Sequence, residues 1–448
     1  MSNYNQLFDL LLHGSDEQLK VNLPFVYPSD ILDILNDDQY SEEDIVSILV
    51  RLPNDMIGQL LDEEEQEDKY ELLQRVQKNR HSAILEEMSS DELVDMIETI
   101  DDQSIVDDLL ESLSEENKTE VSQLMSYAPE SAGGIMASEF INLYDNKKVK
   151  QVLEYLQEIK DDVESHYALY VTDRQNTLKG VVSLSDIATS DFEVSIADIM
   201  NPNVISVHYS MDQEDVAKLF DKYNLPVIPV VNDHNQIIGI VTFDDIIEVI
   251  TQEATADIHQ MAGIDADERA DSTVKETVQS RLPWLVINLF TAILSSSIVA
   301  YFSGTIAQVV ALAALMPIVT GMGGNVGSQT YTFTIRSLAI GTIDDGNAMF
   351  VFNREMKAAL INAAVISSLA FVLGAVIGQD LQIGMIVGAS MLLSILFAAA
   401  LGYLIPSILN RMKIDPAIAS SVLVTTMTDS FGFLVFLGLA TVFMRYLI

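Results

Sequence analysis

Apolar positions in the first 130 residues recur at three- and four-residue spacing, which predicts a run of short amphipathic helices. Ser41-Glu-Glu-Asp-Ile-Val-Ser-Ile-Leu-Val50 opens with a capping serine and carries acids in its first turn, and Ser89-Ser-Asp-Glu-Leu-Val-Asp-Met-Ile-Glu98 repeats that arrangement. Short helices in series predict an α-solenoid-like N-domain over residues 1–130. After Ala128-Pro129 the period shortens to apolar strands separated by turns and helices, up to about residue 250. Asp244 to Leu282 returns to helical spacing with Asp244, Asp245, Glu248, Glu253, Asp257, Asp265, Asp267 and Glu268. Residues 251–280 therefore read as a connecting helix, a natural coupling element between a sensor and a membrane domain. A solvated linker helix carries the same charge pattern.

Beyond Arg281 the chain turns apolar in long runs: Leu282–Phe302, Ile306–Ile335, Ala358–Ile377, Leu381–Leu409 and Ala417–Met444. About 20 helical residues cross the roughly 30 Å of bilayer hydrocarbon. Residues 281–448 are thus predicted to be an all-α membrane domain of five helices. Arg281, Arg336, Arg354, Lys357, Arg411 and Lys413 gather at one set of span ends, while Ser303-Gly304 and Gln379-Asp380 carry no basic residue. The positive-inside rule then predicts a cytoplasmic N-terminal region in a multi-pass protein of the plasma or inner membrane, with Arg445 the one dissenting charge. No signal peptide is expected, because the apolar run Leu7–Leu12 is too short and has no basic lead.

Charge divides the 448 residues in the same place. The net charge is −42, yet residues from Arg281 onward hold seven Lys/Arg and six Asp/Glu, leaving −43 on the first 280. Such a surface repels nucleic acid and anionic lipid. It is either merely solvated or a reservoir for divalent cations. The chain has no cysteine, so thiolate metal sites and disulfides are excluded.

An internal duplication marks the middle region. Ile135-Met136 recurs as Ile199-Met200; Tyr170-Val-Thr-Asp and Leu178-Lys-Gly-Val-Val-Ser-Leu-Ser-Asp-Ile187 recur as Val230-Val-Asn-Asp and Ile237-Ile-Gly-Ile-Val-Thr-Phe-Asp-Asp-Ile246. This resembles a tandem pair of α/β CBS domains, with the match covering about 135–250 of a domain region 131–250. The resemblance implies that Asp186 and Asp245 hold the ribose of a nucleotide, with ATP the candidate. The competing reading is that each aspartate caps the helix that follows it.

Two features carry chemistry in the apolar half. Met316-Pro-Ile-Val-Thr-Gly-Met-Gly-Gly-Asn-Val-Gly-Ser-Gln-Thr330 places a proline and four glycines inside a span. They are expected to break the helix and free carbonyls, which survive at membrane depth only beside protein or a water-filled cavity. Hard oxygen donors of this kind suit Mg2+ or its water shell. Packing through small residues accounts for the glycines alone, but not for Asn325 and Gln329. The second feature is Asp429, an acid inside the last span, where a charge costs at least about 2.5 kcal/mol. No Lys, Arg or His lies within a span to pair with it, so a cation from solution is the obvious partner. Thr425, Thr426, Thr428 and Ser430 add polar lining around it.

Taken together, the layout resembles the MgtE magnesium-transporter family. The matching segments are Tyr127-Ala-Pro-Glu-Ser-Ala-Gly-Gly-Ile-Met136, Glu253-Ala-Thr-Ala-Asp-Ile258, Arg281-Leu-Pro-Trp-Leu285, Gly321-Met-Gly-Gly-Asn-Val-Gly-Ser-Gln329 and Thr425-Thr-Met-Thr-Asp429. The resemblance implies a homodimeric Mg2+ channel whose ion site is formed by Asp429, Gly321, Gly324 and Asn325. It also implies intracellular Mg2+ at Asp91, Asp95, Asp212, Glu214, Asp245, Glu248, Glu253 and Asp257, holding the channel shut. Ser328, Asn224 and Ala256 depart from the family's pattern and imply fewer side-chain ligands at the filter and weaker regulatory sites.

Oxygen-rich lining without Cys or His leaves Mn2+ and Co2+ open beside Mg2+. A membrane enzyme needs a nucleophile, base or metal cluster; His13, His81, His166, His208, His234 and His259 are scattered and form no ligand motif. The third reading is a non-conducting cation sensor. Passive flow is expected, since no ATPase motif occurs.

Overall fold

In the computed structural model, which describes residues 2–37, 39–158, 168–266, 268, 272–344, 346–418 and 421–443, the capping signals start helices where the sequence places them. His166, Asp267 and Arg445 lie outside the described residues. The chain divides into two units, Met1–Ile250 and Thr251–Ile448.

Ten α-helices fill the first 124 residues of the first unit, from α1 (Ser2–His13) to α10 (Glu115–Leu124), among the described residues. Ser41 accepts a hydrogen bond from the Asp44 amide at 3.3 Å and starts the helix Glu42–Arg51. Ser89 behaves differently. It turns to Asp62, and the amide of Ser90 at the head of α8 (Ser90–Glu98) donates instead to Glu139 at 3.1 Å. A carboxylate at a helix N-terminus also complements the helix dipole. The apolar faces of these helices form one core that includes Leu49, Ile57, Leu60, Leu85 and Ile97, and it continues into Met136, Phe220 and Ile246 of the domain that follows.

The duplication folds as two copies of one three-stranded sheet. β1 (Asn142–Tyr144) lies parallel to β2 (Ala168–Thr172), which pairs antiparallel with β3 (Leu178–Ser183). β4 (Val207–His208), β5 (Val227–Val231) and β6 (Ile237–Thr242) repeat that order, and each copy shifts register at the same place, Val171/Thr172 and Val230/Val231. The repeated Ile-Met pairs cross over. Met136 precedes the first copy but lies on Gly239 of the second, and Met200 precedes the second but lies on Gly180 of the first. A Cβ on Gly239 would stand 2.7 Å from the Met136 sulfur and 2.9 Å from the Ala137 carbonyl oxygen. The glycine in each tail therefore admits a backbone segment that bridges to its neighbour strand, Ala137 to Ile240 and Val181 to Asn201.

The last strand runs into α15 (Phe243–Ala262), which crosses from the first unit's residues into the second's. It ends at Gly263, whose φ of +73° is the left-handed conformation that closes a helix; the Ile264 amide donates back to His259 O at 2.9 Å. The second unit then holds α16 (Val274–Tyr301), the short α17 (Ser303–Gln308), α18 (Ala311–Ala339), α19 (Ala348–Gly378), α20 (Leu381–Arg411) and α21 (Ser421–Val442). Four of these, α16, α19, α20 and α21, are long and apolar enough to cross a membrane, where five spans were expected. α18 is of similar length, but its glycines, threonines, Asn325 and Gln329 dilute its apolar character.

The helix break expected between Met316 and Thr330 does not occur. α18 runs unbroken from Ala311 to Ala339 with Pro317 inside it. A glycine on each side of the α18–α20 contact serves close packing instead. Gly327 meets Val424 and Thr428 of α21, and Gly402 of α20 lies so near α18 that a Cβ there would stand 2.6 Å from Gly327 O and 3.0 Å from Tyr331 N. Backbone atoms cannot rotate away as a side chain can, so Gly402→Ala is expected to destabilise the second unit by about 1–3 kcal/mol. Thermal unfolding of the detergent-solubilised chain reads this directly, and an unchanged midpoint would mean that the helices separate without cost.

Candidate ion-binding sites

Packing separates α18 into two faces. Gly323, Gly327 and Thr330 are buried, whereas Gly321, Asn325 and Gln329, each one turn from the last, form an exposed stripe. Among the described residues nothing lies within 4 Å of the position a Gly321 Cβ would take. Gly324 sits between the faces, opposite Thr425 at 3.8 Å and the Asp429 carboxylate at 3.9 Å from its Cβ position. The structure thus brings Gly324, Thr425 and Asp429 together and sets Gly321 and Asn325 on the open side of the same helix. Asp429 is half-buried, and among the described residues its carboxylate makes no hydrogen bond or ion pair. Its neighbour Ser430 shares a 3.1 Å hydrogen bond with Ser295, the buried residue of α16. Ser295 was not anticipated, because Ser295-Ser-Ser297 interrupts the apolar run without showing which of the three hydroxyls faces a neighbouring helix.

Residues of α15 in the second unit reach the same helices from one end. Met261 packs on Tyr331, Ile335 and Val424, and Trp284 and Val422 stand beside Gly263. Glu253 and Asp257 lie one helical turn apart on α15, both half-buried.

The first unit holds an acidic cluster on α8. Asp95 is half-buried, and no hydrogen bond reaches its carboxylate among the described residues. Burial, and then the charge of Glu92, push its pKa up to about 7. Glu92 is also raised, chiefly by burial, with Lys69 pulling the other way and Asp245 and Glu248 adding to the rise. Asp245 is raised by burial first, against hydrogen bonds from Thr242. Asp95, Asp245 and Glu248 from the expected set therefore share one neighbourhood, and Glu92 joins them. Asp91 sits at the head of the same helix, where its carboxylate accepts the Glu92 amide at 3.0 Å. Asp212 is engaged elsewhere as the N-cap of α14 (Gln213–Tyr223), and Glu214 pairs with Lys218 at 3.2 Å. Asn224 ends α14 in the left-handed conformation with φ +50°, which accounts for an asparagine there.

Among the described residues, no three His or carboxylate side chains converge closely enough to cage a metal ion. The donor set is nonetheless all oxygen, and among the described residues the Asp429 and Asp95 carboxylates accept no hydrogen bond. That suits an ion such as Mg2+ that keeps most of its own water.

At the two repeat tails each aspartate lies in the first turn of its helix and folds back on the residue that starts it. Ser183, the N-cap of Leu184–Thr189, donates its amide to Asp186 at 3.3 Å, and the Thr242 amide donates to Asp245 at 3.1 Å. Asp186 stays exposed, whereas Asp245 is half-buried within the acidic neighbourhood.

Family models match most of the chain: a divalent cation transporter model over 316–439, CBS domains over 132–192 and 196–252, and an intracellular N domain over 26–130. A magnesium transporter of Thermus thermophilus is 34% identical over 440 residues, covering 97% of each chain. A magnesium transporter of Bacillus subtilis is 34% identical over 393 residues, covering 88% of this chain and 86% of its own. The solved soluble part of a magnesium transporter aligns with a TM-score of 0.53 at 31% identity, covering 56% of this chain and 98% of that one. The cytosolic domain of a Mg2+ channel in complex with ATP aligns with a TM-score of 0.51 at 33% identity, covering 55% of this chain and 99% of that one.

Proposed function

The chain belongs to the MgtE family of divalent cation transporters, and from that premise we propose that it passes Mg2+ across the plasma membrane as a homodimer. Its family is one of transporters, not enzymes, and the four membrane-length helices among the described residues make it a membrane protein. The observation that carries the proposal is the exposed stripe Gly321, Asn325 and Gln329 on the helix whose Gly324 faces Asp429. Amide side chains turned to lipid lose their hydrogen bonds, so this face of α18 belongs against a second copy or a water-filled path. We read α18 as the fifth span on the same ground, Asp429, Gly321, Gly324, Asn325 and Thr425 as the pore lining, and the N-terminal helices as an α-solenoid-like stack in the cytoplasm.

Control by intracellular Mg2+ follows from the acidic cluster. Glu92 and Asp95 on α8 repel each other and the acids Asp245 and Glu248, while Asp91, Asp212 and Glu214 add negative charge in the first unit, and Glu253 and Asp257 along the second-unit part of α15. Divalent cations held there would favour a compact, closed protein, to the extent that they bind it better than the open one. Asp186 is the better of the two tail aspartates for a nucleotide such as ATP, because it remains exposed.

Reconstitution of the full chain into liposomes holding a Mg2+-sensitive dye tests the proposal. Mg2+ entry that rises when Mg2+ is withdrawn from the soluble side is the expected result. Entry of Mn2+ or Co2+ at the expense of Mg2+ would reassign the ion, and absence of any flux would bring the sensor reading forward.

A further inference from the structure

Lys69, at the head of α6 (Lys69–Arg75), is 2% exposed, an unusual position for an ammonium group. All three of its N–H donors are used. Two donate at 2.9 Å to the carbonyl oxygens of Leu61 and Asp62, and the third donates to the Glu92 carboxylate. Leu61 and Asp62 belong to the last turn of α5 (Asn54–Glu63), where carbonyls lack helical partners and the helix dipole is negative. The ammonium is therefore pinned in place and cannot follow solvent.

Its position matters for what surrounds it. Glu92 feels the charges of Lys69, Asp245 and Glu248, and Asp95 feels those of Glu92, Lys69, Glu248 and Glu98. Five carboxylates thus share a neighbourhood with the fixed cation Lys69, a formal −4 where five acids alone would give −5. A buried ammonium is costly compared with an apolar side chain of the same length. An end-cap for α5 requires only the two carbonyl contacts. The third bond carries the positive charge into the acidic cluster.

We propose that Lys69 is a resident counter-ion of this cluster. It supplies part of the neutralisation that divalent cations otherwise bring, and so sets how steeply the compaction of the first 250 residues depends on Mg2+. The inference rests on the reading that the cluster binds Mg2+.

The test follows hydrogen exchange of residues 54–98 in the detergent-solubilised full chain across a Mg2+ titration. Lys69→Met is expected to lower protection in chelator several-fold and to regain it at saturating Mg2+. The titration should steepen by about a quarter, in proportion to the charge left to neutralise. The double variant Lys69→Met, Glu92→Gln restores the net charge but not the carbonyl contacts, and should return the steepness to that of the wild type. If both variants keep the wild-type steepness and lose protection equally at every Mg2+ concentration, Lys69 is a helix cap only and the proposal falls. A wild type whose exchange ignores Mg2+ altogether would remove the regulatory reading first, and the proposal with it.

Discussion

Asp429→Asn is expected to lower Mg2+ entry into proteoliposomes about 100-fold while leaving the protein folded. Asn keeps the size and hydrogen-bonding capacity of the side chain, so the change removes charge and little else. A carboxylate about 5 Å from a divalent cation gains roughly 7 kcal/mol at an effective dielectric constant near 20. Mg2+ dehydrates reluctantly, so about half of that survives as net stabilisation, roughly 3 kcal/mol or 100-fold. The carboxylate is available for this role because it makes no hydrogen bond or ion pair among the described residues and faces the Cβ-free edge of Gly324. Asp429→Glu should retain part of the flux, since the charge remains and only its reach changes. Equal flux in wild type and Asp429→Asn would leave a pathway but move selectivity to the Gly321–Gln329 stripe.

How much of this arrangement was legible in the sequence depended on whether the signal was periodic. The tandem repeat was readable because its order recurs, and the two sheets share even the register shift at Val171/Thr172 and Val230/Val231. Its crossover was not readable. Met136 meeting Gly239 and Met200 meeting Gly180 are contacts between repeats, and spacing within one repeat says nothing about them. In α18, glycine and proline pointed to a broken helix, yet tertiary packing against α20 and α21 overrides local propensity and keeps the helix whole. The same glycines then do two jobs, close approach at Gly327 and openness at Gly321, and only three-dimensional neighbours separate them.

The acidic cluster was half legible for a related reason. Asp95, Asp245 and Glu248 were anticipated from resemblance. Lys69 was hidden because it stands in a polar stretch, Glu67-Asp-Lys69, that reads as a solvated turn. Its burial follows from where α5 ends, which is a matter of tertiary placement. Glu139 was hidden likewise: its role as the acceptor for the α8 amide joins residues 49 apart in sequence.

Asp95→Asn is the second substitution with a large expected effect, and its sign follows from linkage. In the folded, metal-free protein Asp95 has a pKa of about 7, above the ordinary carboxylate value of 3.8. Between those values the compact state binds more protons than the open or unfolded one, so its stability falls as pH rises from about 4 to 7. The ceiling on that loss is roughly 4 kcal/mol, and partial access of water to Asp95 brings it nearer 2 kcal/mol. The neutral asparagine removes the penalty. The metal-free variant should therefore resist protease at pH 8 about as well as at pH 5, whereas the wild type resists less at pH 8 unless Mg2+ is present. Because the compact state is the closed one in this scheme, withdrawal of soluble-side Mg2+ should also open the variant less, and Mg2+ entry should stay low where wild-type entry rises. Protease sensitivity of Asp95→Asn that still falls on adding Mg2+, with the wild-type midpoint, would take Asp95 out of the switch and leave Glu92, Asp245 and Glu248 to hold the ion.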